Sequence, residues 1–136
     1  LVSDQWVFLL KEDCPFCTDL NDRQFLQTEE VLGIWDAFPI SPGHALLIPY
    51  RHVATWFDAT IEEQQALLSA INSAKTAIEL EHKPDGYNIG INSGEVAGQT
   101  VPHLHVHVIP RYTGDVEDPR GGVRWAIPNK ARYWDE

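Results

Sequence analysis

Methionine is absent from this 136-residue chain, cysteine occurs twice, and basic residues are scarce, 10 against 20 acidic ones for a formal charge of −10. Each shortage removes a class. With only Cys14 and Cys17, a disulfide scaffold is excluded as the organising principle. A strongly acidic chain is a poor candidate for gripping long nucleic acid, because Lys and Arg contacts to phosphate supply most of that affinity. No apolar run approaches the roughly 20 residues of a bilayer span, so no membrane contact is expected. The first residues, LVSDQWVFLLKED, show neither a basic start nor a small-residue cleavage site, which points to a cytoplasmic location. There is no internal repeat, low-complexity segment or linker, and the length fits one domain.

Among the residues present, the segment VPHLHVHVIPR (101–111) stands out. It holds three of the six histidines at alternate positions. In a strand, His103, His105 and His107 share one face and Leu104, Val106 and Val108 the other, with neighbouring histidines roughly 7 Å apart. The apolar face belongs on a core, and the imidazole face in a cleft or on a metal. Three chemistries compete: partly buried structural histidines, a metal site, and nucleophilic and acid–base work on a phosphate near neutral pH. The preceding loop, SGEVAGQT (93–100), favours phosphate. Gly94 and Gly98 free backbone N–H groups to turn toward an anion, and Gln99 and Thr100 add side-chain donors.

The remaining elements predict an α+β domain. WVFLL (6–10), EVLGIWDAF (30–38), HALLIPY (44–50), YNIGIN (87–92), LHVHVIP (104–110) and GVRWAIP (122–128) read as strands. Thr60 with Glu63 forms a capping box. Leu67, Ile71, Ala74 and Ile78 then make a helical stripe ending at Lys83-Pro84-Asp85-Gly86. Strands flanking one long helix imply a mostly antiparallel sheet with that helix packed on it.

GQTVPHLHVHVIPR resembles the signature of the histidine triad (HIT) superfamily, and the likeness extends back through INSGEVAGQT and YNIGIN to SPGHALLIPYRHV. It covers about residues 30–111, leaving an N-terminal arm (1–29) and a C-terminal tail (112–136) of a single HIT-like domain. The ending PR is similar to the hydrolase branch that includes bacterial HIT proteins and fragile-histidine-triad dinucleoside polyphosphate hydrolases. The resemblance implies cleavage at the α-phosphate of a nucleoside phosphate derivative, a dinucleoside polyphosphate or a nucleoside phosphoramidate, through a covalent nucleotidyl-histidine. It places His105 as nucleophile, His107 on the phosphate and leaving group, and His44 and His103 as the other site histidines. Asp36 would read the ribose hydroxyls, Asn92, Gln99 and Thr100 the phosphate region, and residues around Phe38 and Ile40 the base. No catalytic metal is required. The competing readings are a metal-dependent hydrolase or metal-binding protein using the histidine row as ligands, and a nucleotide-binding module with little turnover.

Cys14-Pro15-Phe16-Cys17 is a C-x-x-C knuckle, readable alone as a redox pair, a metal knuckle or two unrelated thiols. The resemblance decides among them. Several bacterial members pair such a knuckle with a histidine at the position of His52, and His103 completes a Cys₂His₂ set for a structural zinc. It also implies a homodimer. For the tail, two roles stay open. Trp125 and Trp134 reach a partner subunit's site, or they cover the core. Arg111 and Arg124 receive no role.

Overall fold

The computed structural model describes residues 13–18 and 20–135. The expected strand at 6–10 lies outside them. Among the described residues, five strands form one antiparallel sheet: β1 (Gln24–Gln27), β2 (Val31–Trp35), β3 (Ala45–Pro49), β4 (Gly86–Gly90) and β5 (Val106–Arg111), in spatial order β1-β2-β3-β5-β4. A single long helix, α1 (Ile61–Glu79), packs on one face. The α+β architecture expected from the sequence is the one observed. No helix among the described residues is long and apolar enough to cross a membrane.

Strand β3 explains the two faces. Its sequence ALLIP has no polar alternation because both faces are covered, and every residue is buried. Ala45 and Leu47 join Val31, Leu67, Ala74, Ile78, Val106 and Val108 under the helix. Leu46 and Ile48 point the other way and pack with Ile34 and Leu20, with Phe16 of the knuckle against them. The N-terminal arm therefore closes part of the face opposite the helix. Helix α1 starts as expected. Glu63 N–H donates to Thr60 Oγ1 at 3.1 Å, and Thr60 N–H donates to Glu63 Oε1 at 2.8 Å. Its buried stripe is Leu67, Ala70, Ala74 and Ile78, with Ile71 partly buried beside it.

Two expectations change. Strand β1, which no expected strand covers, pairs with β2 through a bulge between Gln24 and Leu26. Segment 122–128 is not a strand. Gly122–Ala126 forms a 3-10 turn, followed by a short helix, α2 (Pro128–Ala131). Gly121 and Gly122 adopt positive φ of 100° and 51°, and Pro128 at the first helical position starts α2. Arg124 then ties the segment to itself, donating to the carbonyls of Ala131 and Lys130.

Candidate active site and metal knuckle

The histidine row is less regular than a strand would make it. The ladder to β3 begins at Val106, opposite Leu47, and His107 lies opposite Leu46 on the face away from the helix. Before Val106 the chain bends: His103 N–H donates to Val101 O and Leu104 N–H to Val53 O. The carbonyl of Pro49 is taken by the His103 ring, Nε2 to O 2.8 Å. His105 and His107 consequently sit side by side, ring centroids 5.1 Å apart. His103 is fully buried and faces the cysteines.

Hydrogen bonds set the tautomers, because a carbonyl only accepts. His105 Nδ1 donates to the carbonyl of His103 at 2.8 Å, so in the neutral ring Nε2 carries the lone pair. His44 Nδ1 accepts from Ile40 N–H at 3.2 Å, so its proton is on Nε2. That nitrogen lies 3.0 Å from His107 Nδ1 and 3.3 Å from Asp36 Oδ2. Donation to His107 Nδ1 leaves the His107 proton on Nε2. The turn SPGH delivers His44 to this point, with Gly43 at φ +86°, where a Cβ would meet His82 Cδ2 at 2.9 Å.

All three imidazoles are held below the ordinary histidine range, in each case mainly by burial. For His107 the neighbouring His105 and His44 add to the effect and take it to about 4, against a smaller opposing pull from Asp36. For His44 the Asp36 carboxylate opposes burial, and for His105 the His103 carbonyl and then Asp36 do so. The free protein thus presents neutral imidazoles at neutral pH.

Asp36, His44 and His107 each bring a ligand-type atom within 4.8 Å of the others. Chemistry argues against a metal there. His44 would have to ligate through Nε2 with its proton moved to Nδ1, and Nδ1 already accepts from a backbone N–H. The row as a whole does not converge on one point either, since His103 is turned to the knuckle.

The knuckle passes the same test. Cys14 Sγ, Cys17 Sγ, His52 Nδ1 and His103 Nδ1 are positioned to hold a metal, all within 4.8 Å of one another. Sulfur–nitrogen separations are 3.6 Å (Cys14–His103), 3.4 Å (Cys17–His103) and 3.1 Å (Cys17–His52). A tetrahedral zinc with bonds of about 2.3 Å to sulfur and about 2.0 Å to nitrogen needs S···N edges of about 3.5 Å. Because His103 Nε2–H donates to Pro49 O, its Nδ1 lone pair faces the thiols, which is the tautomer a ligand needs.

The other sequence-derived residues divide. Asn92 lines a cleft of about 390 Å³ with His44 and His107. Thr100 is exposed beside it in sequence, but Gln99 faces inward and is only 1% exposed. Its Oε1 accepts from Gly94 N–H, and its Nε2 donates to Ala54 O and Val101 O. Its side chain fastens the glycine loop and does not offer it donors. Asp36 Oδ1 accepts from Phe38 N–H, while Oδ2 faces His44. Phe38 and Ile40 are exposed at 87% and 74%, and Ile40 lines the cleft. Two contributors escaped the sequence. Phe16 packs edge-on against His105 at 5.0 Å and His103 at 6.0 Å. From the tail, Val123 and Ala126 line the cleft. The aromatic between the thiols was a visible signal for the first; nothing local announced the second.

An antiparallel five-stranded sheet with one long helix, carrying a histidine cluster on its opposite face, defines the class of protein. The family model for the HIT domain matches residues 18–114, and the chain belongs to the HIT family. It is 39% identical over 110 residues to an uncharacterized HIT-like protein of Methanocaldococcus jannaschii, covering 76% of this chain and 83% of that one. It is 44% identical over 99 residues to the bis(5'-nucleosyl)-tetraphosphatase [asymmetrical] of Schizosaccharomyces pombe, covering 73% of this chain and 54% of that relative; the chain spans about half of that enzyme's length. The crystal structure of a HIT family protein from Bacillus anthracis matches with a TM-score of 0.70 at 35% identity, over 76% of this chain and 77% of that one.

Proposed function

We propose that the chain is a nucleotidyl hydrolase that cleaves nucleoside phosphate derivatives at the α-phosphate through a nucleotidyl-His105 intermediate. One observation carries this reading: the 2.8 Å bond from His105 Nδ1 to the His103 carbonyl, which leaves Nε2 as the nucleophilic nitrogen. Kinship with a tetraphosphatase supports the substrate class.

In the free protein the imidazoles are neutral. An arriving phosphate anion offsets the burial and the like-charge penalty on the His44–His107 pair, and the pair takes up a proton with the substrate. His105 Nε2 attacks the α-phosphorus, the bond from phosphorus to the leaving group breaks, and the leaving atom takes the proton from His107. Water then attacks the nucleotidyl-histidine, the P–N bond breaks, and His107 receives the water proton. Nucleoside monophosphate and neutral His105 result. Asp36 serves the ribose and, in the free state, the His44 side of the pair. Asn92 and Thr100 hold the phosphate region.

Cys14, Cys17, His52 and His103 would hold one zinc ion. It would supply a structural cross-link between the arm and the segment that carries the nucleophile.

The test is His105→Asn. Turnover should fall by at least about 10³-fold with nucleotide binding retained, and rapid acid quench of the wild type should trap a nucleotide on His105. Undiminished turnover in the variant would rule the mechanism out.

A further inference from the structure

His44 reaches the cluster on the turn Ser41-Pro42-Gly43-His44, and the bonds that shape this turn are local. His44 N–H donates to Ser41 O at 3.2 Å, Ile40 N–H donates to His44 Nδ1 at 3.2 Å, and Asp36 N–H donates to the His44 carbonyl at 2.9 Å. Long-range contacts hold its apex. A Cβ on Gly43 would meet His82, Ile78 and Pro110 at 2.9, 3.2 and 3.4 Å, so the turn rests on the end of α1 and on β5. At Pro42 the carbonyl accepts from the Tyr112 hydroxyl at 2.6 Å, across 70 positions of sequence. Tyr112 is itself fixed by the residues around the end of β5. Its N–H donates to Asp115 Oδ2 at 3.0 Å, on the carboxylate that Arg111 clasps at 2.7 and 2.8 Å, and Thr113 N–H donates to Asp85 Oδ2 at 2.8 Å. Burial first, and then Asp85, push the phenol above its ordinary range, so it stays a donor at neutral pH. The mechanism above gives this hydroxyl no task.

Building on the nucleotidyl-His105 reading, we infer that Tyr112 is a positioning residue for leaving-group protonation, acting through Pro42 and His44 on His107. The path is short. Tyr112 Oη pins the Pro42 carbonyl, and His44, farther along the same turn, donates from Nε2 to His107 Nδ1 at 3.0 Å. That bond orients the His107 ring and leaves its proton on Nε2, the one the leaving group takes. Tyr112 does not line the cleft beside His107, so its effect passes through the turn. Without the phenol the turn keeps its local bonds and loses a tether at its apex. A misplacement of about 1 Å in a reacting group can cost up to about 10²-fold in rate. With a phosphoramidate, the His105 Nε2–P bond forms and the P–N bond breaks. The electron pair stays on the amine nitrogen, which takes the proton from His107. An amine does not leave as an anion, so this step depends on the position of His107. A 4-nitrophenyl ester departs as a stabilised phenolate, takes no proton, and bypasses the path.

The experiment uses the whole chain and two adenosine 5'-monophosphate derivatives, the N-benzyl phosphoramidate and the 4-nitrophenyl ester. Tyr112→Phe keeps the ring and the backbone bond to Asp115 and removes only the hydroxyl. It should lower kcat for the amidate by about tenfold. The amidate KM and the ester kcat should both stay within about twofold of wild type. His107→Asn should lower the amidate kcat by at least about 10²-fold. In that background Tyr112→Phe should add less than about twofold, because the path is already cut. An equal loss on both substrates makes Tyr112 a brace of the fold and overturns the inference. So does an unchanged amidate kcat, or a tenfold loss that persists without His107. If nucleotide is trapped on His105 while the amidate-to-ester ratio stays put, this inference alone falls. If none is trapped from either substrate, the intermediate falls and takes this inference with it.

Discussion

Each imidazole of the cluster has one nitrogen committed to a fixed partner, and that commitment decides what the other can do. His105 gives its Nδ1 proton to a carbonyl and keeps a lone pair; His103 gives its Nε2 proton to Pro49 and turns its lone pair to two thiols. A nucleophilic role for His105 calls for its other nitrogen to donate to a nearby backbone carbonyl, but residue types name neither which carbonyl serves nor the use His103 makes of Pro49. Gln99 shows the same blindness. An amide beside glycines reads as a phosphate donor, yet its partner Ala54 lies 45 residues away in sequence. Replacing it leaves three partly buried backbone groups without this partner, each worth up to about 1–3 kcal/mol. Gln99→Ala should therefore cost roughly 2–4 kcal/mol in chemical denaturation, and a loss under 0.5 kcal/mol, about the scatter of surface substitutions, would contradict the staple. The depressed histidines make a second residue-level prediction. In the unfolded chain they titrate near about 6.5; folded, they titrate lower, His107 at about 4. Between those values the unfolded chain binds more protons. This contribution is therefore complete above the unfolded value and is lost as pH falls toward the folded one. The urea midpoint should drop between pH 7 and pH 4, and less steeply in His107→Asn. Parallel curves for the two proteins would refute the assignment.

At the level of elements, what the sequence revealed followed from local rules. The capping box fixed the start of α1, and the unbroken apolar run of β3 announced a strand covered on both sides. Alternation in LHVHVIP was visible too, although the ladder takes it up only at Val106. Alternation misled in GVRWAIP, where two positive-φ glycines and a proline made a turn and a short helix. The knuckle is an element of another kind, a loop whose Phe16 packs on the face opposite the helix and whose two thiols, with His52 and His103, are positioned to hold a metal. Cys14 is fully buried and stands against His103. Elemental analysis should give about one zinc per chain. Cys14→Ser should lower Tm by more than about 5 °C, at about 4 °C per kcal/mol for a domain of this size. Metal-free protein with unchanged Tm would exclude the site.

For the molecule as a whole, charge and chemistry point in opposite directions. The substrate is an anion and the protein is acidic, so long-range attraction contributes little to encounter. Stopped-flow tryptophan fluorescence should show nucleotide association that stays level or quickens slightly as salt rises from 20 to 200 mM, since added ions screen a repulsion. A steep fall with salt would reveal a positive funnel that the described residues do not show. Recognition would then depend on short-range fit, supplied by neutral imidazoles, loop amides and the apolar walls.

The tail gives that fit an unusual origin. Residues 113–135 contribute no strand, and most of their polar bonds run among themselves. Their composition is therefore free to drift without disturbing any ladder or the bond-making nitrogen. Grafting another tail beyond Tyr112 onto the same sheet would replace one wall of the cleft and leave the hydrogen bonds that orient the imidazoles as they are.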